Sequence, residues 1–117
     1  MNQKCKQDAI KHAQECFPDE SCGLFLKINN DFIYYKCKNV ADDFKAEAFV
    51  IYPPDYADGE DMGEVVGIVH SHPDNTLKFS ETDKASCKAM ETPFYLVCPN
   101  LDKMIVITPE EINADKN

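Results

Sequence analysis

Two histidines, His70 and His72, stand at i and i+2 directly after the apolar run Val65-Val66-Gly67-Ile68-Val69. In extended chain alternate side chains share a face, so both imidazoles can reach one ion. Pro73 follows at once; proline cannot continue a central strand, so the sheet is expected to end where the pair emerges. The carboxyl edge of a sheet is a usual place for a site. Ser80 lies eight residues beyond His72, and Asp83 three further on. A carboxylate there completes a set of two nitrogens and one oxygen and leaves a fourth tetrahedral position to water. Zinc held by two neutral imidazoles and one carboxylate keeps a net positive charge, enough to acidify water and polarise a carbonyl. Plainer readings stand beside this one. His-x-His also describes two unrelated edge histidines, and Ser80-x-x-Asp83 reads equally as a capping box, with Ser80 as N-cap. Aspartate is shorter than the glutamate usual in that box, which favours the ligand reading.

The elements that must carry these residues follow from periodicity. Cys5, Ala9, Ile10, Ala13 and Phe17 recur at helical spacing over residues 3–17, so an amphipathic helix is expected there, stopped by Pro18. Residues 23–28 and 32–35 read as strands joined by the turn Asn29-Asn30-Asp31, a hairpin. The apolar segment Phe49-Val50-Ile51-Tyr52 ends at Pro53-Pro54. The acidic stretch from Asp55 to Glu64 lacks the alternation of a calcium loop and reads as a solvated turn or short helix. Residues 65–69 are nearly continuous in apolar character, as in a central strand covered on both faces. Ser80 opens a helix to about Met90, and residues 94–98 and 103–107 form a second hairpin. Thr108 and Pro109 can start a last helical turn. The order predicts an α/β (α+β) fold, a single-layer mixed β-sheet flanked by helices. One domain over residues 1–112 with a flexible tail at 113–117 is the expected organisation.

Composition narrows the class. The chain has 117 residues, 12 Lys+Arg against 21 Asp+Glu and a formal charge of −9. That balance argues against nucleic acid as a partner, and no apolar run is long enough to cross a bilayer. The polar N-terminus has no apolar signal region, so a cytoplasmic location is expected. The six cysteines, none in a C-x-x-C pair, are then read as free, mostly buried thiols. Cys22 and Cys87 are read as packing residues, and His12 as a surface residue of the first helix.

Taken together, Glu20, His70-Ser71-His72-Pro73, Ser80 and Asp83 resemble the JAMM/MPN+ metallopeptidase signature. Pro18-Asp19-Glu20-Ser21-Cys22-Gly23-Leu24 is similar to that family's glutamate at the entrance to a Gly-Leu strand. The likeness runs from the first helix to about Ile107. Residues 64–74 and 80–83 most resemble the N-terminal domain of lambdoid phage tail assembly proteins, in which a cysteine peptidase domain usually follows; 117 residues cannot hold it. The resemblance implies a cytidine-deaminase-like architecture and Zn2+ held by His70, His72 and Asp83. It implies Glu20 as the general base that later protonates the leaving amine, and Ser80 as a donor to the oxyanion. Phe79 departs from the proline many relatives carry before the serine, and is expected to change loop rigidity with the ligands kept.

The function so implied is a zinc-dependent peptidase or isopeptidase that hydrolyses an amide bond by metal-activated water. Its partners would be a protein or peptide substrate and phage tail proteins, in the cytoplasm of a bacterial host. The alternative is a non-catalytic MPN-type structural module of a tail assembly complex, although such modules characteristically lose ligands. Deamination would call for a His-x-Glu pair and Pro-Cys-x-x-Cys, and neither occurs.

Overall fold

A computed structural model describes residues 1–114 of the chain. Helix α1 (Gln3–Cys16) starts at Asn2, whose Oδ1 accepts a hydrogen bond from the Cys5 N–H at 2.8 Å. This satisfies one of the donors that every helix start leaves open. Cys5, Ala9, Ile10 and Ala13 are buried, as their spacing predicts. Phe17 is not: the helix stops at Cys16, so its ring leaves the apolar face and is 57% exposed. His12 corrects the surface reading. It is buried, with Nδ1 2.7 Å from the Tyr34 hydroxyl, and burial holds its pKa below the ordinary histidine value.

Five strands form one sheet. They are β1 (Cys22–Ile28), β2 (Asp31–Cys37), β3 (Glu64–Ser71), β4 (Phe94–Cys98) and β5 (Leu101–Ile107), in the spatial order β2-β1-β3-β4-β5. The β1/β2, β1/β3 and β4/β5 pairs are antiparallel, and β3/β4 is parallel. A parallel pair needs a crossover, which the segment bearing helix α3 (Glu81–Met90) supplies. Helix α2 (Pro53–Met62), with proline in its first positions, and helix α4 (Pro109–Ala114) complete the chain, after a 3-10 turn at Asp42–Phe44. The acidic stretch is thus largely helical. The second hairpin turns more tightly than expected, since β5 begins at Leu101. Asn113 and Ala114 of the expected tail belong to α4, while residues 115–117 lie outside the described residues.

Period-two alternation divides the core between the two faces of the sheet. Leu24, Leu26, Ile68, Phe94 and Leu96 pack with Cys87 of α3, Ile112 of α4 and Tyr56 of α2. Phe25, Val69 and Val97 pack against Cys5, Ala9, Ile10 and Ala13 of α1. The fold is the expected mixed α+β layer structure, with β3 at its centre and covered on both sides. At Gly59 of α2 an added Cβ would lie 2.6 Å from Leu24 Cδ1, so the glycine sets how closely this helix approaches β1.

Gly23 permits a second close approach, because a Cβ there would sit 2.5 Å from the ring and hydroxyl of Tyr34. Gly23→Val is therefore expected to push Tyr34 off His12 and to lower stability by about 1–3 kcal/mol, the usual cost of overpacking. Urea unfolding measures this; an unchanged midpoint would contradict the packing described.

Candidate metal centre

The end of β3 is fixed from three sides. The His72 N–H donates to the Val97 carbonyl at 3.2 Å, continuing the register of β4. Ser71 lies between the two histidines and is almost fully buried. Its N–H donates to the Ser21 carbonyl at 3.2 Å, and its Oγ accepts from the Ser21 N–H at 2.8 Å. These bonds tie the residue after Glu20 to the residue between the histidines. Glu20 is held further by its N–H to the Lys45 carbonyl at 2.7 Å, and its own carbonyl accepts from Asn39 Nδ2 at 3.0 Å. A bridge across Ser71 was not visible in the sequence, where a serine between two histidines has no periodic signature.

His70, His72 and Asp83 converge. One ligand atom from each lies within 4.8 Å of the others. Asp83 Oδ2 is 3.1 Å from His70 Nε2 and 3.2 Å from His72 Nε2. The same oxygen accepts the Ser80 N–H at 2.9 Å, while Ser80 Oγ accepts the Asp83 N–H at 3.0 Å. The capping box is complete, and the carboxylate that closes it also faces the two histidines, so the cap leaves the ligand reading of Asp83 open. Because Ser80 Oγ uses a lone pair in the cap, its own proton stays available to donate elsewhere.

His70 supplies the test of whether these residues suit a cation. It is 0% exposed, yet neither ring nitrogen has a partner in hydrogen-bond geometry among the described residues. An unsatisfied buried polar group costs about 1–3 kcal/mol, and an ion accepting the Nε2 lone pair would remove that cost at Nε2. Burial holds the His70 pKa below the ordinary value, against the pull of Asp83. Burial also presses on Asp83, but the two histidine rings against its Oδ2 and the Ser80 N–H overcome it and keep the carboxyl far below the usual range. His72 is depressed by burial and raised, on balance, by Asp83 and the Thr76 carbonyl. Imidazole nitrogen and carboxylate oxygen are both zinc donors. The set fits zinc.

Several supports lay outside the reach of sequence patterns. His72 Nδ1 donates to the Thr76 carbonyl at 2.8 Å, which orients the ring with Nε2 turned toward Asp83. Asp74 Oδ1 accepts the Thr76 N–H at 3.0 Å, and Asn75, at φ 63°, bends the loop back so that its N–H reaches the His72 carbonyl at 3.0 Å. The Phe49 ring stacks on His70, with centroids 4.8 Å apart and planes at 22°. Phe79 is buried in the core with its ring 6.2 Å from that of His70, so it forms an aromatic wall beside that histidine. Cys22 and Cys87 are buried core thiols outside the ligand group, as expected.

Glu20 is only 5% exposed and lines a cavity of about 700 Å3 together with His72, Ser80 and Asp83. Burial pushes its pKa up to about 7, with Asp83 and Asp74 adding and His72 opposing. The arrangement brings all five residues singled out in the sequence to one end of β3. The family described as prokaryotic homologs of the JAB domain matches residues 2–112. The chain belongs to that family.

This JAB domain is 41% identical over 97 residues to tail tip assembly protein K of Escherichia phage N15, an alignment covering 83% of the chain and 40% of that relative. The chain thus spans well under half of the relative's length. A solution structure from Desulfitobacterium hafniense is similar at TM-score 0.69 and 22% identity, covering 90% of this chain and 78% of that one. A JAB1/MPN domain protein from Archaeoglobus fulgidus is similar at TM-score 0.60 and 19% identity, covering 92% and 87%. A JAMM structure described as a metalloprotease-like zinc site in the proteasome and signalosome is similar at TM-score 0.57 and 16% identity, covering 93% and 85%. These structures agree in fold with the JAB domain.

The raised pKa of Glu20 has a thermodynamic consequence for the metal-free domain. Its folded value of about 7 lies above the ordinary 4.5, so its contribution to stability is complete below the lower value and is lost as pH rises through the higher one. Glu20→Gln removes this loss. In chelator, the variant should match the wild type near pH ~4 and exceed it near pH ~8 by at most about 3 kcal/mol, because the carboxyl faces a cavity open to water. Urea unfolding across that range measures the difference, and parallel curves would contradict a raised pKa at Glu20.

Proposed function

We propose that this JAB domain is a zinc-dependent peptidase or isopeptidase that hydrolyses an amide bond. The observation that carries the reading is the convergence of His70, His72 and Asp83, with neither ring nitrogen of the buried His70 in hydrogen-bond geometry with another of the described residues. His70, His72 and Asp83 would hold the ion. When bound, zinc supplies a Lewis acid that acidifies water and polarises the scissile carbonyl.

The remaining chemistry belongs to side chains of this chain. With a pKa raised to about 7, Glu20 is matched to accepting a proton from the attacking water near neutral pH and returning it to the leaving amine. Ser80, fixed by its cap, has a hydroxyl proton to offer the developing oxyanion. Phe49 and Phe79 exclude water from His70 and strengthen the electrostatics around it. The likeness to the phage N15 tail tip assembly protein supports a protein or peptide substrate met during tail assembly, in the cytoplasm of the bacterial host.

Zinc analysis and cleavage assays on tail and peptidoglycan peptides test the proposal together. The wild type should retain about one zinc per chain. Glu20→Gln should keep the metal and lose roughly 10²–10⁴ in kcat, and Ser80→Ala should lose about 10²–10³. His72→Ala and Asp83→Ala should lose both metal and cleavage. Full zinc occupancy without hydrolysis of any peptide would instead favour a structural module of the tail assembly.

A further inference from the structure

The cavity beside the metal centre extends well past the reacting groups. From Glu20, His72, Ser80 and Asp83 it runs along the segment 47–51 to α2 and the end of α3. Its volume, about 700 Å3, is in the range that encloses a short ligand. Phe49, Ile51, Tyr56 and Phe94 line its floor. Val50 and Met90, 52% and 43% exposed, stand at its walls as large apolar side chains open to solvent. A concave site lined mainly by apolar side chains with a few polar groups at its edge is the form a ligand groove takes.

Charge along the groove has one sign. No lysine or arginine lines it, and beyond the residues of the metal centre its charged side chains are Glu47 and Glu60. Both are exposed, and neither has an ion pair among the described residues. A second cavity of about 510 Å3 shares Glu20, Glu47, His72 and Ser80 and brings in Lys78 on the far side of the centre. Glu47 thus borders both cavities, while Glu60 marks the α2 side of the larger one.

We propose that this groove selects an extended peptide in which large apolar residues flank a basic one, with Glu47 and Glu60 reading the positive charge. The inference rests on the peptidase reading for its consequence in catalysis, but not for binding. Apolar side chains fill the floor, a lysine or arginine pairs with the unpartnered carboxylates, and an acidic residue at that position meets repulsion. Exposed pairs of this type are weak and salt-sensitive, each changing affinity roughly two- to fivefold. They therefore act as specificity determinants on top of apolar burial.

Fluorescence anisotropy with labelled Ala-Leu-Lys-Leu-Ala and its Gln-for-Lys and Glu-for-Lys counterparts tests this on the intact chain. The lysine peptide should bind about tenfold more tightly than the glutamate peptide, a gap that high salt compresses. Glu47→Gln combined with Glu60→Gln, both at exposed positions, should bring the three peptides close to equal affinity. Equal binding of the three by the wild type, binding of none, or a lysine preference that survives the double substitution would each overturn the proposal. Cleavage is followed in the same samples. Charge-selective binding without cleavage sinks the hydrolase and keeps this groove assignment; cleavage without charge preference does the reverse.

Discussion

A single oxygen, Asp83 Oδ2, links the fold to the proposed chemistry. It caps the first turn of α3 through the Ser80 N–H and lies at 3.1 and 3.2 Å from the two histidine nitrogens. An unpaired carboxylate this enclosed would be costly. Here the helix start lowers that cost, since backbone N–H donors and the helix dipole favour negative charge. The start of α3 therefore has a fixed position relative to the end of β3, and the three ligand atoms stay together without depending on a flexible loop.

The sheet supplies the rest of that rigidity. Two imidazoles at i and i+2 share a face only while the strand stays extended, and β3 continues through Ser71 because it is paired on both sides, with β1 and β4. The price is His70, an imidazole buried among Phe49, Phe79 and Phe94 with neither ring nitrogen hydrogen-bonded among the described residues. Such a cost is understandable at a site that a cation would complete. The same enclosure acts on Glu20, whose carboxyl is raised toward neutrality by burial while Asp83 stays ionised nearby. Two carboxylates with separated pKa values are the pattern expected where one group carries protons and the other only charge.

Legibility in the sequence followed physical locality. The approach of His70, His72 and Asp83, the Ser80 cap, the central strand and the first helix are legible because each depends on residues a few positions apart. Three kinds of feature could not. His12 was misread because its partner, Tyr34, lies on β2, and an isolated histidine beside an apolar stripe looks solvent-facing. Phe17 was assigned to that stripe by spacing, though the helix ends before it. The Thr76 carbonyl on His72, the Ser21–Ser71 bridge and the Phe49 stack depend on backbone atoms or on residues distant in the chain. For Glu20, chain position alone offered little, because an acid after a helix-ending proline usually sits in a solvated turn; its burial comes from the pairing of its neighbours.

Anomalous diffraction at the zinc absorption edge, from crystals of the domain grown without chelator, tests the central claim most directly. The account predicts one strong peak bounded by His70 Nε2, His72 Nε2 and Asp83, with metal–nitrogen distances of about 2.0–2.1 Å. A map with no peak there, or a zinc ion bound elsewhere while these three side chains keep to themselves, would contradict it.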